Sequence, residues 1–391
     1  SSSTSSSSPG GMPEFTLSAL SSAPEQVSGG DLLLSIEGDL ELINSELDNL
    51  ELWLNNQVIE PERLRTRNGR LEVLIDGLSL GDNQLELHHT SHGKLHDLAL
   101  TNHPITGPIF SGPQQYPFVC STLEELGIQP LVDEGAEEGY PVYDANENLI
   151  GYSKDCSIDS QVTFLYRTTG GSYQPLPGDG SRPADMATTT LTDGRTVDFI
   201  VRREDGTINR FIYSFATLAS LDDAAEDAAT DNWNGRLLFH FEGGVAIGHS
   251  QGRVSGRALE PNALGKGYAV IYSTGTRTST HYNLEVGGEA ALMTKEHFVK
   301  RFGVPDYTVA IGGSGGGIQQ YVYAQNHPGL LDAGVPQYSY PDMVTQTIHI
   351  GDCELLEHYM DVTDRTNLRW RTTDNRPLLV GLNATDDYPD P

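Results

Sequence analysis

The residues best suited to chemistry form the run Gly312-Gly313-Ser314-Gly315-Gly316, a serine flanked by glycines. The apolar run Tyr307–Ile311 before it predicts a strand, and a helix is predicted from about Ile318. A serine in a G-x-S-x-G pattern between strand and helix lies on a sharp turn, where small neighbours leave its hydroxyl exposed. The pattern therefore predicts Ser314 as a nucleophile. The alternative is a glycine-rich helix N-terminus that only packs or binds an anion.

A second glycine-rich segment, Gly243-Gly244-Val245, follows the predicted strand Arg236–Phe241. Backbone N–H groups in such a loop can hold the negative charge that develops on a carbonyl oxygen during acyl transfer. The N–H of the residue after the nucleophile contributes to the same site. We therefore predict that Gly315 and Gly244 provide the oxyanion-binding N–H groups. A glycine loop required only for a tight turn is the alternative.

The acid and the base that a serine nucleophile needs are difficult to place. In a hydrolase with this turn the chain order is serine, then acid, then histidine. The run from Arg376 predicts a strand followed by an acidic loop, which makes Asp387, or its neighbour Asp386, the candidate acid. The histidines that follow Ser314 all precede this acid: His327, His349 and His358.

Three explanations of the missing base are consistent with the sequence. A second polypeptide, produced by proteolytic processing, would carry the histidine and a disulfide mate for Cys353, and the loop-like residues 386–391 have the character of a nicked site. An upstream histidine, His240 or His249, would act instead. Alternatively, the protein would bind ligands without catalysis. We expect the second polypeptide, because Cys353 is the odd one of three cysteines.

The composition excludes several classes of partner. The 391 residues include 54 acidic and 24 basic side chains, a formal net charge of −30. This charge repels phosphate backbones, so no nucleic-acid partner is predicted. With 37% hydrophobic and 20% charged residues, the chain can form a packed core. No apolar stretch approaches the roughly 20 residues that cross a bilayer, and no transmembrane segment is predicted.

Cysteines and the N-terminal composition bear on the cellular compartment. Cys120 and Cys156 bracket an acidic, loop-rich stretch and form the predicted disulfide; three buried reduced thiols are the alternative. The run Ser1–Gly11 has neither an initiator methionine nor a signal pattern, which suggests a mature N-terminus. We expect a secreted or periplasmic protein on a flexible serine-rich tether, of the kind that follows a bacterial lipoprotein anchor.

Four segments are predicted along the chain. Residues 1–25 are the tether, and residues 26–105 contain short strand-like runs between turns, which predict an immunoglobulin-type β-sandwich. Residues 106–230 are a β-rich connecting region packed on the next domain. In residues 231–391, strands alternate with helical stretches such as Glu285–Phe302, which predicts an α/β domain with a mainly parallel sheet. No metal site and no cofactor are predicted.

Several runs resemble α/β-hydrolases of the tannase/feruloyl-esterase group. They are Trp233–Phe239 with its glycine loop, Leu264–Val270, the run around Ser314, and Ala324–Gly334. From about Ser28 onward the chain is closer to a secreted bacterial hydrolase family of unassigned function, through Thr101–Pro108, Arg182–Asp185 and Gly206–Arg210. The resemblance implies an α/β-hydrolase fold and a serine mechanism, but it does not indicate the substrate. Because the base is missing after Ser314, we expect the predicted α/β domain to be incomplete and to be completed by the second polypeptide.

One residue departs from this resemblance. Tannase-type enzymes carry a cysteine immediately before the serine, and here that residue is Gly313. The disulfide that links their nucleophile and histidine loops is therefore lost in this chain.

The sequence supports two alternative functions, one catalytic and one not. The first is an extracytoplasmic serine esterase that forms an acyl-enzyme on carboxylic esters, either phenolic or of the hydroxyacid polyester type. Its preference for esters rests on the tannase-like resemblance. The second is a non-catalytic cell-surface binding protein on a hydrolase scaffold. A fluorophosphonate probe separates them, because it reacts only with an activated serine.

Overall fold

The computed structural model describes residues 14–221, 231–371 and 375–380. The chain divides into two units, one up to Ser339 and one from Tyr340. The first unit contains a pair of β-sheets near its N-terminus and a large mixed sheet covered by helices. Among the described helices, none is both long and apolar enough to cross a bilayer.

Residues 16–103 form two β-sheets. Their strands are β1 (Thr16–Ala19), β2 (Val27–Ser28), β3 (Leu32–Glu37), β4 (Leu50–Leu54), β5 (Gln57–Ile59), β6 (Arg63–Arg67), β7 (Arg70–Ile75), β8 (Gly81–His89) and β9 (Gly93–His103). One sheet has the strand order β1-β3-β7-β6 and the other β2-β9-β8-β4-β5. Helix α1 (Leu40–Glu46) connects β3 to β4, and Asp39 caps it by accepting a hydrogen bond from the Leu42 N–H.

The two sheets share one hydrophobic core. Leu34 and Val73 of the first sheet and Leu85 and Leu87 of the second are fully buried in the same cluster. Along β8, buried residues alternate with more exposed ones, which turns one face of the strand inward. The arrangement is a packed pair of sheets, and its immunoglobulin-type topology stays a prediction.

The predicted tether of residues 1–25 was too long. Strand β1 pairs antiparallel with β3, with Leu17 opposite Ile36. Phe15 and Leu17 are buried in the shared core, so residues from Phe15 onward belong to the folded structure. The serine-rich composition of the first eleven residues gave no indication of this short strand. Residues 1–13 lie outside the described residues.

A large mixed sheet makes up most of the first unit after residue 160. The strands from residue 140 onward are β10 (Tyr140–Tyr143), β11 (Leu149–Ser153), β12 (Gln161–Arg167), β13 (Tyr173–Pro175), β14 (Thr188–Thr190), β15 (Thr196–Asp198), β16 (Ile200–Ile208), β17 (Phe211–Ala219), β18 (Arg236–Glu242), β19 (Ala269–Arg277), β20 (Tyr307–Gly313) and β21 (Ala333–Gln337). In the described chain the large sheet has the order β13-β12-β16-β17-β19-β18-β20-β21. The strands β19, β18, β20 and β21 are mutually parallel.

This sheet crosses the boundary predicted at residue 230. Strand β17, from the predicted connecting region, pairs antiparallel with β19, with Phe215 opposite Ile271. Residues of the connecting region therefore form half of the sheet instead of only packing on it. The hairpin of β16 and β17 is a local signal, and it does not reveal which later strand completes the pairing. The predicted parallel sheet is present in its second half, from β18 to β21.

Two of the remaining helices pack on one face of the large sheet and orient the candidate site. The remaining helices of the first unit are α2 (Thr122–Leu126), α3 (Pro261–Leu264), α4 (Leu284–Phe302) and α5 (Gly315–Asn326). The predicted helix Glu285–Phe302 is α4, which begins one residue earlier, at Leu284. Phe298 of α4 and Tyr323 of α5 are buried in one cluster with Phe239 and Phe241 of β18. This core fixes α5 against β18.

The second unit contains α6 (Met343–His358) and α7 (Arg376–Val380). The predicted strand from Arg376 was wrong over its described residues, because they form α7. A short apolar run of this kind does not distinguish a strand from a helix, and Pro377 in the first turn is compatible with a helix. The candidate acids, Asp386 and Asp387, lie outside the described residues.

The predicted disulfide is present between Cys120 and Cys156, whose Cα atoms are 5.2 Å apart. Both cysteines are buried in a cluster with Phe118 and Phe211. The bond therefore lies where the segment before Cys120 packs on β17. Cys353 forms no disulfide and is partly exposed on α6.

Replacing Cys120 by serine is expected to lower the free energy of unfolding by about 3–4 kcal/mol, because a bond across this loop restricts the unfolded chain. The two cysteines are separated by 36 residues. Urea unfolding followed by tryptophan fluorescence measures the change. Cys353→Ser, measured on this chain alone, is the matched control and is expected to change stability by less than about 0.5 kcal/mol. Equal losses in both variants would contradict a structural role of the bond.

Candidate active site

Ser314 lies at the turn between β20 and α5, as the G-x-S-x-G pattern predicts. Its backbone has φ 55° and ψ −123°, a combination that residues with a side chain rarely adopt. Three hydrogen bonds hold this turn. The Ser314 N–H donates to the Gln337 carbonyl at 2.9 Å, and the Ser314 carbonyl accepts from Gly317 and Ile318. Backbone strain of about 1–3 kcal/mol that persists in this way is concentrated at functional sites.

Glycines around Ser314 are required by close approach. A Cβ atom on Gly243 would lie 2.7 Å from the Gly313 carbonyl oxygen, 2.8 Å from the Ser314 Cβ and 3.0 Å from the Gly315 nitrogen. A Cβ atom on Gly315 would overlap the Thr278 hydroxyl. The end of β18, the serine turn and residue 278 are therefore in direct contact.

The glycine loop after β18 is held through its carbonyl groups. The Glu242 carbonyl accepts from the Thr278 N–H at 3.1 Å, the Gly243 carbonyl from the Ser279 N–H at 3.2 Å, and the Gly244 carbonyl from the Thr278 hydroxyl at 2.6 Å. Within the described residues, the N–H groups of Gly244 and Val245 donate to no protein atom.

The N–H groups around the serine differ in position. Gly315 is the first residue of α5, so its N–H has no acceptor within the helix. Gly243 contacts the serine directly, whereas Gly244 lies against Ser279. Gly315 and Gly244 therefore stay the predicted oxyanion-binding residues. Gly243 joins the site because its lack of a side chain allows the end of β18 to contact the serine turn.

Glu242 stabilises the base of this loop as a carboxylate. It accepts hydrogen bonds from the Ser255 hydroxyl at 2.7 Å and from Arg257 at 3.0 Å. Burial raises the pKa of Glu242, but these hydrogen bonds lower it more, so the net pKa is below the ordinary value. The group is ionised and paired at neutral pH. In the described part of the chain, no cluster of three or more His, Cys, Asp or Glu residues could hold a metal ion.

The upstream histidines named as alternative bases have different surroundings. His240 alternates with Phe239 and Phe241 on β18 and therefore faces the side of the sheet opposite to α5. Its Nδ1 lies 3.2 Å from the Phe241 carbonyl, and burial lowers its pKa. His249 is exposed, and its carbonyl accepts from the Val119 N–H.

Among the downstream histidines, His327 caps the far end of α5. A helix of 12 residues is roughly 18 Å long at 1.5 Å per residue, so His327 and Ser314 lie at opposite ends of α5. Its ring packs against Phe110, with the centroids 5.6 Å apart. His349 and His358 belong to the second unit.

Two further parts of this site lie directly after strands, and the first of them was not predicted from the sequence. Thr278 and Ser279, directly after β19, bind the glycine loop. Tyr338, directly after β21, is 89% exposed and lies next to Gly313. Both positions follow the carboxyl ends of parallel strands, and polar residues at such ends were the signal that could have found them.

Comparisons with solved structures find α/β-hydrolases. Tannin acyl hydrolase from Aspergillus niger is 13% identical, with 66% of this chain and 47% of that chain covered and a TM-score of 0.29. Candida antarctica lipase A in its closed state is 14% identical, with coverage of 55% and 48% and a TM-score of 0.26. The peroxisomal alpha-beta-hydrolase Lpx1 from Saccharomyces cerevisiae is 13% identical, with coverage of 53% and 57% and a TM-score of 0.24.

The matched region spans about half the length of each of these structures. Among curated proteins, no significant relative is found. The family model of the tannase-like family of unknown function (DUF6351) matches residues 17–387, which is nearly the whole chain. Because this match covers more than half of the chain, the chain belongs to this tannase-like family.

Proposed function

We propose that this protein is an extracytoplasmic serine esterase in which Ser314 is the nucleophile. The observation that carries the proposal is the strained backbone of Ser314 at the strand–helix turn. A glycine would adopt this turn without strain, so the fold alone does not require a serine here. A serine in this turn presents its hydroxyl group at the edge of the sheet. Membership of a tannase-like family supports a hydrolase.

The proposed reaction proceeds through an acyl-enzyme. The Ser314 oxygen attacks the ester carbonyl carbon, its proton passes to a base, and the carbonyl electrons move to the oxygen. The N–H groups of Gly315 and Gly244 bind this oxyanion. The tetrahedral intermediate then collapses and releases the alcohol, which takes the proton from the base. Water repeats the same steps on the acyl-enzyme and releases the acid.

The base in this proposal is a histidine on a second polypeptide, with Asp387 as the candidate acid. Two observations support it: His327 is at the wrong end of α5, and Cys353 has no disulfide partner in this chain. Gel electrophoresis and intact mass of the purified protein, with and without reduction, test it. A second chain released by reduction is expected. A purified protein that is active as this chain alone would refute the second polypeptide.

Carboxylic esters are the proposed substrates, with phenolic esters ahead of hydroxyacid oligomers. Tyr338 supports a substrate that carries an aromatic group, because its exposed ring lies next to Gly313, the residue before Ser314, and could stack on such a group. The disulfide supports an extracytoplasmic location, where a lipoprotein-type tether would hold the enzyme at the cell surface.

Labelling with a fluorophosphonate tests the proposal most directly. The sample must contain any partner chain, and peptide mass spectrometry locates the modified residue. Modification of Ser314 is expected, together with hydrolysis of phenolic methyl esters in preference to peptide amides. If the intact protein is not labelled, the competing function, a non-catalytic binding protein on a hydrolase scaffold, is supported instead.

A further inference from the structure

A separate cavity of about 120 Å³ lies in the first unit. Four segments form its walls: residues 111–118 ahead of the disulfide, residues 209–211 at the turn from β16 into β17, residues 247–250 at the end of the glycine loop, and residues 281–286 at the start of α4. Ser314 does not line it. The aromatic side chains of Phe118 and Phe211 form part of its apolar wall.

His281 lines this cavity and carries a buried ring nitrogen. The side chain is only 7% exposed. Its Nδ1 accepts from the Asn283 N–H at 3.3 Å, so the neutral ring carries its proton on Nε2. Within the described residues, that buried Nε2 has no hydrogen-bond partner. Burial lowers the pKa of His281 to about 4, although the backbone at Gly275 and Asn283 opposes the shift. The ring is therefore neutral at pH 7.

Arg210 contributes a second donor, and it is charged. Its side chain is 7% exposed and lines the same cavity. The guanidinium lies over the Phe118 ring, 4.1 Å from the centroid, and one Nη donates to the Gln115 carbonyl at 3.1 Å. Its buried Nε has no partner within the described chain. Besides burial, the positive charge of Arg210 also lowers the pKa of His281.

Arg210 forms no direct salt bridge with a carboxylate, at 4 Å or less, within the described residues. Asp155, whose charge partly offsets the burial of Arg210, accepts from the Tyr116 hydroxyl at 3.0 Å and does not bond to the guanidinium directly. Glu289 is saturated by donors that include the Ser111 N–H, and it does not line the cavity. A buried charge without a partner destabilises a fold unless something compensates it.

We infer that this cavity binds the carboxylate of a small organic acid. A carboxylate has two acceptor oxygens, one for the Arg210 guanidinium and one for the His281 Nε2–H. Its carbon chain or ring would pack against Phe118 and Phe211. The protein's net charge of −30 opposes anion binding from a distance, so a bound anion needs donors that are fixed and buried in this way.

The cavity has a structural connection to the serine turn. Gly243, at the start of the glycine loop, contacts Ser314, and Ile247–Ser250, at its end, line the cavity. A bound acid would order this loop and change the reactivity of Ser314. This second effect rests on the proposed function, whereas carboxylate binding does not.

Thermal unfolding and calorimetric titration of the full protein test the binding. Benzoate and propanoate are the probes, their neutral amides are the matched ligands, and inorganic phosphate is the competing anion. The carboxylates are expected to raise Tm by several degrees at millimolar concentration, and the amides and phosphate are not. Binding of the amides as tightly as the acids, or no binding of either acid, would overturn the inference.

Two variants locate the bound acid. Arg210→Lys is expected to weaken benzoate binding at least tenfold, because it keeps the charge but loses the Nε donor. Arg203→Lys, in a paired arginine outside the cavity, is the control. His281→Phe is expected to weaken binding similarly, with His297→Phe as its control. Unchanged binding in Arg210→Lys would overturn the assignment even if His281→Phe fails to fold.

Two further measurements on the full protein test where the acid comes from and whether its binding changes the reactivity of Ser314. If the acid released from the best ester competes with benzoate for binding to the Ser314→Ala variant, the cavity binds a product of the reaction. If it does not compete, the cavity binds a separate acid.

The rate of fluorophosphonate labelling of the unmodified protein is measured with and without benzoate and is expected to change several-fold. No labelling in either case would refute the esterase and leave the binding result standing.

Discussion

Replacing Ser314 by alanine is expected to remove fluorophosphonate labelling and to lower kcat/KM on a phenolic ester by about 10⁴–10⁶-fold. The size follows from losing the nucleophile, after which only the oxyanion donors and substrate binding remain. Initial-rate kinetics on the intact protein, with its partner chain if one is present, measure the change. Circular dichroism confirms that the variant is folded.

A second variant separates catalysis from folding at the same residue. Ser314→Gly removes the same hydroxyl but relieves the backbone conformation of φ 55° and ψ −123°. We expect it to be equally inactive and to be more stable than the alanine variant by about 1 kcal/mol in urea unfolding. Substantial activity in either variant would show that another residue is the nucleophile.

Replacing Gly243 by alanine is expected to lower kcat/KM by about 10²-fold or more with little loss of secondary structure. The new Cβ would lie 2.7 Å from the Gly313 carbonyl oxygen and 2.8 Å from the Ser314 Cβ, so the serine turn or the loop must move. Displacement of reacting groups by about 1 Å has an effect of this size. The φ of Gly243 is not in the left-handed region, so the effect is steric.

Gly256→Ala is the matched control for Gly243→Ala. A Cβ atom at Gly256 meets no other atom within 4 Å, and this residue also lies after β18. Full activity is expected from this control. If Gly243→Ala reacts with the fluorophosphonate as fast as the unmodified protein, then the close approach of β18 to the serine does not matter for reactivity.

Several features could be predicted because their signals are local. The serine turn depends on five consecutive residues between a strand and a helix, and it is present at Ser314. Helix α4 follows from its own sequence and is capped by Asn283. The disulfide could be predicted because a chain with three cysteines offers few pairings, and Cys120 and Cys156 bracket one loop-rich stretch.

Other features depend on contacts between distant parts of the chain, which no local pattern contains. The pairing of β17 with β19 joins the predicted connecting region to the hydrolase sheet. The packing of Gly243 against Ser314 depends on which strands are neighbours. Arg210 and His281 are far apart in the sequence, and only the folded chain brings their donors to one cavity.

The sequence by itself therefore determined the nucleophile candidate, the parallel strands next to it and the disulfide, because each depends on residues that are adjacent or few in number. Only the tertiary structure decided which glycine spaces the serine from β18 and which buried donors meet in one cavity. Those outcomes depend on strand order and side-chain packing, which are properties of the whole folded unit.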